Sequence, residues 1–378
     1  MENVFVTGAT GYIGGYVCQA LLADPKLRLS VLVRSPDDQS AWQRLWRSWQ
    51  LHVSAEVFRR QQSRVTLVPG DLSAPGLGLA PATRQAVLQS TDSIVHIAAA
   101  LNRRSERACL NTNLRGTLAM IQLARQLHAR RGLRRFSAVS TVGIAGQRAH
   151  ECLTEEQALD WQRRDYDPYG RTKKFAEHMV HELLADLPVT IFRPSIVLGD
   201  SRLPQTTQFD MVRALCALAD LPLLPLPPDT RLDIVNADFV GHAIATLHRR
   251  EPCAHRCYHL STGRDAPTAR AIAACIRTHQ GRRPPRFAPQ LSTAFQRAVH
   301  TAAQLPGRSA LQRGATLIDV FLPYIYYDTV FDNARVCQAL GQTPVPFTDY
   351  AGPLYAFAKQ HHFHYPYAPY PAGLAEAA

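Results

Sequence analysis

Apolar runs alternate with helix-like segments through the first half of the chain. The runs are almost continuously hydrophobic, which is typical of strands buried on both faces of a parallel sheet. Segments with helical spacing separate most of them, notably residues 12–23, 113–130 and 174–185. This alternation predicts an α/β fold with a doubly wound parallel sheet of the Rossmann type. The predicted strands are "NVFVTG" (3–8), "LSVLVR" (29–34), "RVTLVPGDL" (64–72), "SIVHIAAA" (93–100), "RFSAVST" (135–141) and "VTIFRPS" (189–195).

One insertion interrupts this alternation between the second and third strands. Residues 36–63 have helical character, and three tryptophans within them share helical spacing. We therefore expect Trp42, Trp46 and Trp49 to form one packed stripe.

The alternation weakens after about residue 200. We expect residues 1–250 to form the nucleotide-binding domain, and residues 200–378 to contribute a smaller C-terminal substrate-binding lobe. The tail (361–378) is rich in proline and tyrosine and is expected to be an adaptable surface segment. The aromatic run within residues 321–340 is expected to pack in the core rather than to line a substrate lid.

Composition and charge narrow the class of protein. The chain has 378 residues, and its formal net charge of +12 comes mainly from arginine spread along the sequence. The densest basic segments, residues 130–135 and 281–286, do not alternate with aromatic residues, so no nucleic-acid groove is predicted. We interpret them as solvated surface; attraction of phosphates, a CoA-like ligand or an acidic carrier protein is the alternative.

Cysteine usage and hydropathy suggest a location. The eight cysteines are scattered, most of them inside apolar runs, which indicates a reducing compartment. The chain enters a strand at its start, and no apolar stretch reaches transmembrane length, so neither a signal peptide nor a membrane span is expected. We expect a cytoplasmic protein, and a homodimer is left open.

Three glycines at three-residue spacing stand between the first strand and the first helix, in "TGATGYIGG". Glycine permits a tight turn and a close approach of backbone to pyrophosphate, and a helix N-terminus offers N–H groups to the anion. This pattern predicts a dinucleotide site. The residues expected to contact the cofactor here are Gly8, Thr10, Gly11, Tyr12, Ile13 and Gly14.

The residue twenty positions after Gly14 bears on the choice of cofactor. An acidic residue there would bind the ribose 2′-hydroxyl of NAD, but the chain has Arg34, at the end of the second strand. An arginine can pair with a 2′-phosphate, so we expect NADPH. Asp37 and Asp38 lie nearby and keep NADH as the less favoured alternative.

Tyr169 and Lys173 are four positions apart, which places both on one face of a helix. Hydride transfer to a carbonyl leaves an oxyanion that needs a proton, and a free tyrosine with a pKa of about 10 exchanges its proton poorly near neutral pH. A nearby ammonium would lower that pKa. A hydroxyl from the preceding strand, Thr141 or Ser140, could hydrogen-bond the substrate oxygen.

With these motifs in place, the chain resembles the extended short-chain dehydrogenase/reductase superfamily over about residues 3 to 265. The motifs that carry the likeness are "TGATGYIGG", "GDL" (70–72), "VHIAAA" (95–100), "NTNLRGT" (111–117), "VSTVGIAG" (139–146), "YGRTK" (169–173) and "FRPSIVLGD" (192–200).

The resemblance implies roles for further residues. It places Asp71 and Leu72 along the adenine, and Ala98 and Ala99 along the dinucleotide. It assigns the catalytic hydroxyl to Thr141, beside Tyr169 and Lys173, and it gives Asn113 the support of a proton-relay water near Lys173. The residues that it packs against the nicotinamide end are Pro194, Ser195 and Ile196.

Within the superfamily, the chain most resembles the thioester-reductase or male-sterility group, whose members reduce acyl-CoA or carrier-bound acyl thioesters with NADPH. The insertion at 36–63 and "LDIVNADFVGHAIATL" (232–247) contribute to this likeness. The implied function is reduction of a small-molecule or carrier-bound acyl thioester to an aldehyde or an alcohol.

Two other functions stay open at this point. One is an NAD(P)-dependent epimerase or dehydrogenase that acts on a sugar nucleotide or a hydroxysteroid-like alcohol; Arg34 and the insertion argue against it. The other is a non-catalytic NADPH-binding sensor or scaffold; the intact Thr141, Tyr169 and Lys173 argue against that, because a sensor needs no proton donor.

No metal site is expected. Cys253, His255, Cys257 and His259 alternate along "CAHRCYHLS" (253–261), and in a strand they would share one face, which could suggest zinc. The resemblance, however, places a strand at "CYHLS" with its side chains packed on the sheet. The histidines of the tail, at 361, 362 and 364, are interpreted as surface residues.

Overall fold

A seven-stranded sheet forms the centre of the computed structural model, which describes residues 1–103, 105–306, 309–326 and 328–371. All neighbouring strands pair in parallel, in the order β3-β2-β1-β4-β5-β7-β11. The predicted doubly wound fold is confirmed. The strands are β1 (Glu2–Thr7), β2 (Leu27–Val33), β3 (Val65–Pro69), β4 (Ser93–His96), β5 (Arg135–Val139), β6 (Cys152–Leu153), β7 (Val189–Pro194), β8 (Ile196–Val197), β9 (Leu223–Leu224), β10 (Ile234–Val235), β11 (Cys257–Leu260), β12 (Arg286–Phe287) and β13 (Val330–Phe331).

Helices cover both faces of this sheet. Successive strand residues point to opposite faces, so Val4 and Val6 join one apolar core while Phe5 joins the other. Helices α1, α2, α3 and α9 contribute to the first core, and α4, α6 and α7 to the second. The helices are α1 (Tyr12–Leu22), α2 (Asp38–Trp49), α3 (Ala55–Gln62), α4 (Pro81–Ser90), α5 (Glu106–Cys109), α6 (Gly116–Arg131), α7 (Pro168–Leu183), α8 (Asp210–Ala219), α9 (Ala237–Arg249), α10 (Ala269–His279), α11 (Ser292–Ala303), α12 (Ala310–Tyr326), α13 (Ala334–Leu340) and α14 (Phe347–Gln360).

Two helices differ from their predicted bounds. Helix α7 begins at Pro168, earlier than the predicted start at residue 174, because Asp167 caps it by accepting a hydrogen bond from the Gly170 backbone N–H at 2.7 Å. The helix predicted at 113–130 is α6, and a π-helical turn at Leu110–Arg115 precedes it.

The insertion between β2 and β3 forms α2 and α3, and its tryptophans pack as expected. The rings of Trp42, Trp46 and Trp49 surround Phe58, with centroids 6.1, 5.2 and 6.0 Å away.

The tail does not lie free on the surface over residues 361–371, which we call the tail strap. Its Pro369 carbonyl accepts a hydrogen bond from Trp46 Nε1 at 2.9 Å, which ties this part of the surface to α2. Its adaptability stays a prediction. Residues 372–378 lie outside the described residues.

The C-terminal part of the chain adds a separate apolar cluster, formed by residues of α8, α10, α12 and α14. The proposed division of the chain at residues 200–250 stays a prediction, and β11 follows that point yet pairs with β7. Among the helices that the structure describes, none is long and apolar enough to cross a membrane.

Candidate active site

The glycines around the turn between β1 and α1 have no room for a side chain. Gly8 has a φ of +81°, and a Cβ added to it would lie 2.7 Å from the backbone nitrogen of Ala98. A Cβ on Gly14 would lie 2.0 Å from the Gly8 carbonyl oxygen. Gly11 begins α1 without a side-chain cap, so the backbone N–H groups of the first turn are available to an anion.

This loop borders a cavity of about 740 Å³ at the carboxyl ends of the strands. Every residue predicted to bind the cofactor lines it, and so do the predicted catalytic Thr141, Tyr169 and Lys173. Asn113 does not. The predicted residues in the wall are Gly8, Thr10, Gly11, Tyr12, Ile13, Gly14, Arg34, Asp71, Leu72, Ala98, Ala99, Pro194, Ser195 and Ile196, besides the three catalytic candidates.

One end of the cavity, which we call the arginine end, is lined by Arg34, Arg44, Gly70 and Asp71. Arg34 Nη1 lies 3.6 Å from Asp71 Oδ2, and its side chain is 72% exposed. Hydrogen bonds from Ser73, followed by the charge of Arg34, hold the pKa of Asp71 below its ordinary value. Arg44 of α2 donates to the Arg34 carbonyl oxygen. Sequence reasoning missed Arg44, whose only signal is its place in the insertion that follows Arg34.

The opposite end, which we call the tyrosine end, contains Thr141, Tyr169 and Lys173. Lys173 Nζ donates to the Val139 carbonyl oxygen at 2.6 Å, and burial lowers the pKa of this lysine to about 8, although Glu177 opposes the shift. Thr141 Oγ1 accepts a hydrogen bond from the Gly143 N–H at 3.1 Å. Ser140, the alternative source of the catalytic hydroxyl, also lines the cavity.

The pKa of Tyr169 differs from the expectation. Burial raises it, and the strongest opposing influence is the charge of Arg103, followed by the hydroxyl of Thr141. Lys173 was expected to supply the positive charge that lowers this pKa. In the structure Arg103 is the foremost cation acting on the phenol, and the Lys173 ammonium is bonded to the end of β5 instead.

Asn113 lies in the π-helical turn and is 1% exposed. Its Oδ1 accepts from the Ala100 N–H at 2.7 Å, and its Nδ2 donates to the Ala100 carbonyl and to Thr172 Oγ1 at 3.2 and 3.1 Å. The side chain therefore ties the loop after β4 to the helix that carries Lys173. Its support of a proton-relay water stays a prediction.

The C-terminal part of the chain supplies a wall that sequence reasoning largely missed. Thr316, Leu317, Val320, Phe321 and Tyr324 of α12 all line the cavity. The expected core packing is wrong for Tyr324. Phe321 packs against an apolar cluster while also lining the cavity, and its neighbours Leu322 and Ile325 are buried in apolar clusters. Helix α8 contributes Met211 to the same wall.

A buried ion pair lies one helical turn beyond Lys173. Arg193 of β7 donates from Nη2 to Glu177 Oε1 at 2.5 Å and from Nε at 3.0 Å. Burial alone would raise the pKa of Glu177, but Arg193 and the hydrogen bonds to the carboxylate outweigh it and lower the pKa to about 2.

The alternating cysteines and histidines near β11 pack as the resemblance implies. Cys257 and His259 are buried in the strand, and His259 Nδ1 lies 3.1 Å from the Asp332 carbonyl oxygen. Within the described ranges, no group of three or more His, Cys, Asp or Glu residues is placed to hold a metal ion.

The parallel sheet and the glycine loop define a doubly wound nucleotide-binding fold of the Rossmann type. Within that class the chain belongs to the male sterility protein family, because the sequence profile of that family matches residues 6–244. The resemblance stated from the sequence is confirmed, and membership indicates a nicotinamide cofactor for the cavity.

Individual relatives agree with this placement. The chain is 27% identical over 243 residues to the fatty acyl-CoA reductase wat of Drosophila melanogaster, covering 57% of this chain and 47% of that protein. It thus spans less than half of that relative.

Solved structures support the fold. The terminal R domain from the myxalamid PKS-NRPS biosynthetic pathway superposes with a TM-score of 0.80 at 23% identity, covering 96% and 92% of the two chains. UDP-glucuronic acid 4-epimerase from Bacillus cereus, in complex with NAD, gives 0.64 at 18% identity, covering 96% and 98%.

Proposed function

We propose that the protein reduces an acyl thioester, bound to CoA or to a carrier protein, to an aldehyde or an alcohol with NADPH. The observation that carries this proposal is the single cavity that joins the glycine loop, two arginines and the Thr141–Tyr169–Lys173 set to an apolar wall of α12. The reductase names of its relatives, such as the fatty acyl-CoA reductase wat, support the same choice.

The residues of the wall fit a phosphorylated dinucleotide. A Cβ added at Gly8 or Gly14 would clash with the backbone around the turn, and the turn leaves backbone donors for the pyrophosphate. Arg34 and Arg44 would bind the 2′-phosphate, and Lys173 would hold the nicotinamide ribose. Leu72, Ala98 and Ala99 would line the dinucleotide, as would Pro194 to Ile196 at the nicotinamide end. When bound, the cofactor supplies the hydride.

The protein's own part of the reaction is to hold the carbonyl oxygen and to deliver a proton. Thr141 and Tyr169 would donate hydrogen bonds to the thioester oxygen, which becomes an oxyanion when the carbonyl carbon gains a hydride. Tyr169 then gives its proton to that oxygen. The resulting hemithioacetal releases the thiol and leaves an aldehyde, and a second round would give the alcohol.

The apolar wall favours an acyl chain over a sugar nucleotide. Leu317, Val320, Phe321 and Met211 present hydrocarbon to the cavity. A pocket lined in this way gains free energy from buried alkyl groups but offers few partners to sugar hydroxyls.

A direct assay tests the proposal. Purified protein is given NADPH or NADH and acyl-CoAs of increasing chain length, with cofactor oxidation and aldehyde trapping as readouts. Tyr169→Phe should lower kcat by about 10²- to 10⁴-fold because the proton donor is lost, while NADPH affinity stays unchanged. Tight NADPH binding without turnover of any CoA-bound or carrier-bound thioester would refute the proposal.

A further inference from the structure

Arg103 lies in the loop after β4, and aromatic rings surround its guanidinium. Its Cζ is 5.0 Å from the ring centroid of Tyr169, 4.8 Å from that of Tyr324 and 5.7 Å from that of Phe321. Its Nη1 donates to Asp167 Oδ2 at 2.7 Å and also to the Tyr324 hydroxyl. The β4 loop, the start of α7 and helix α12 therefore meet at one guanidinium.

This cation lies where it can act on the proton of Tyr169. A guanidinium stays charged throughout the working pH range of a protein, and a cation near a phenol favours the phenolate. Arg103 opposes the effect of burial on the pKa of Tyr169, whereas Asp167 and Cys109 act in the same direction as burial. Lys173, one turn beyond Tyr169, donates a hydrogen bond to the Val139 carbonyl oxygen.

The partners of Arg103 fix its position. Its side chain is 21% exposed, and Asp167, which also caps α7, is 13% exposed. Two of the three rings around the guanidinium come from α12, so the packing of that helix determines where the charge lies relative to the phenol.

We propose that Arg103 is a positioning residue that sets the proton affinity of Tyr169, and that Tyr324 and Phe321 of α12 hold its guanidinium against the phenol ring. This inference rests on the proposed function of Tyr169 as the proton donor. It gives the C-terminal lobe a part in proton transfer as well as in substrate binding.

The pH dependence of kcat for NADP⁺-dependent oxidation of a primary aliphatic alcohol tests this role, because Tyr169 must then accept a proton as phenolate. In Arg103→Gln, the midpoint of the rising limb should move up by about 1 to 2 pH units. Arg103→Lys keeps the charge and should show a smaller shift. Tyr324→Phe, which frees one side of the guanidinium, should show a smaller upward shift as well.

Arg171→Gln is the matched control. Arg171 lies on the same helix as Tyr169, but its side chain is 53% exposed and pairs with Asp165 and Glu106. Its removal changes the net charge equally and should leave the midpoint unchanged. A midpoint that moves as far in Arg171→Gln as in Arg103→Gln would overturn the proposal.

A measurement without turnover separates this proposal from the proposed function. A stopped-flow pH jump records phenolate absorbance, and subtracting the trace of a matching Tyr169→Phe protein isolates the ionisation of Tyr169. A protein that ignores thioesters but shows an Arg103-dependent midpoint refutes the substrate and retains the role of Arg103. An unchanged midpoint in folded Arg103→Gln overturns that role. If Arg103→Gln does not fold, an unchanged midpoint in Tyr324→Phe overturns it.

Discussion

The charges at the arginine end of the cavity and those of the ion pair behind the tyrosine end differ in their exposure to solvent. At the arginine end, the Arg34 side chain is 72% exposed and its pair with Asp71 spans 3.6 Å. Behind the tyrosine end, Glu177 and Arg193 have side chains only 1% and 3% exposed, and they meet at 2.5 Å. Exposed charges are screened by solvent and salt, whereas buried charges depend on their partner.

The difference in exposure suggests that the exposed charges serve ligand binding and that the buried pair serves stability. Charges at the arginine end are free to meet a ligand and can be exchanged at small cost to the fold. The buried pair instead fixes α7 against β7, and Glu177 also raises the pKa of Lys173 against the effect of burial. Substitutions at the arginine end should therefore change binding, and substitutions in the buried Glu177–Arg193 pair should change stability.

The largest effect is expected from Glu177→Gln. Removal of the carboxylate charge leaves Arg193 buried without its counter-ion, which should lower the free energy of unfolding by about 3 to 5 kcal/mol at neutral pH. Urea unfolding followed by tryptophan fluorescence measures this loss. Glu182→Gln, on the exposed side of the same helix, should cost less than about 0.5 kcal/mol. Equal losses in both variants would show that the burial of Glu177 does not matter.

The stability difference between the native protein and Glu177→Gln should depend on pH over a defined range. The pKa of Glu177 is about 2 in the folded state, below the value of about 4.3 for a free glutamate. Its contribution to stability is therefore complete above about 4.3 and is lost as the pH falls toward 2. The difference in unfolding free energy between the native protein and Glu177→Gln should shrink over this range. A constant difference down to the lowest pH at which the protein folds would contradict the assignment.

A smaller effect is expected at the arginine end. Arg34→Ala should weaken NADPH binding about tenfold and leave NADH binding almost unchanged, because only NADPH carries the 2′-phosphate. Fluorescence titration at low and high salt measures both affinities, and the NADPH difference should narrow at high salt. Arg59→Ala, an exposed arginine of α3 outside the cavity wall, is the control. Equal weakening of the two cofactors would argue against a 2′-phosphate contact.

How far the sequence could predict this site depends on how far apart in the sequence the residues that meet there are. The glycine loop and the Tyr169–Lys173 pair are local patterns, and the residues that they single out as cofactor or catalytic contacts line the cavity. Arg103 and Tyr324 are 221 positions apart, and no local spacing marks either of them. Their meeting depends on how α12 lies against the loop after β4, which only the tertiary structure shows.

Element boundaries likewise divide into those that a local sequence pattern marks and those that depend on tertiary contacts. The start of α7 could have been predicted from the sequence, because "DP" at 167–168 is an N-cap residue followed by a proline at the first helical position. The π-helical turn before α6 was not, because its residues have ordinary helical character and the extra backbone width accompanies the tie between Asn113 and Ala100. The tail strap likewise lacks periodicity, since its order comes from contacts with α2 and α3.

The smallest effect is expected where the tail strap crosses the insertion. Trp46→Phe keeps an aromatic ring beside Phe58 but removes the indole N–H that donates to Pro369, which should cost about 1 kcal/mol of unfolding free energy. Hydrogen exchange in residues 361–371 should accelerate in this variant. Trp42→Phe changes a ring that packs on the same Phe58 without a bond to the strap carbonyls, so exchange there should stay unchanged. Equal exchange in both variants would mean that the strap is held by its other contacts, such as Tyr370 on Phe58 and the bond from the Ala368 N–H to Gln50 Oε1, rather than by the indole hydrogen bond.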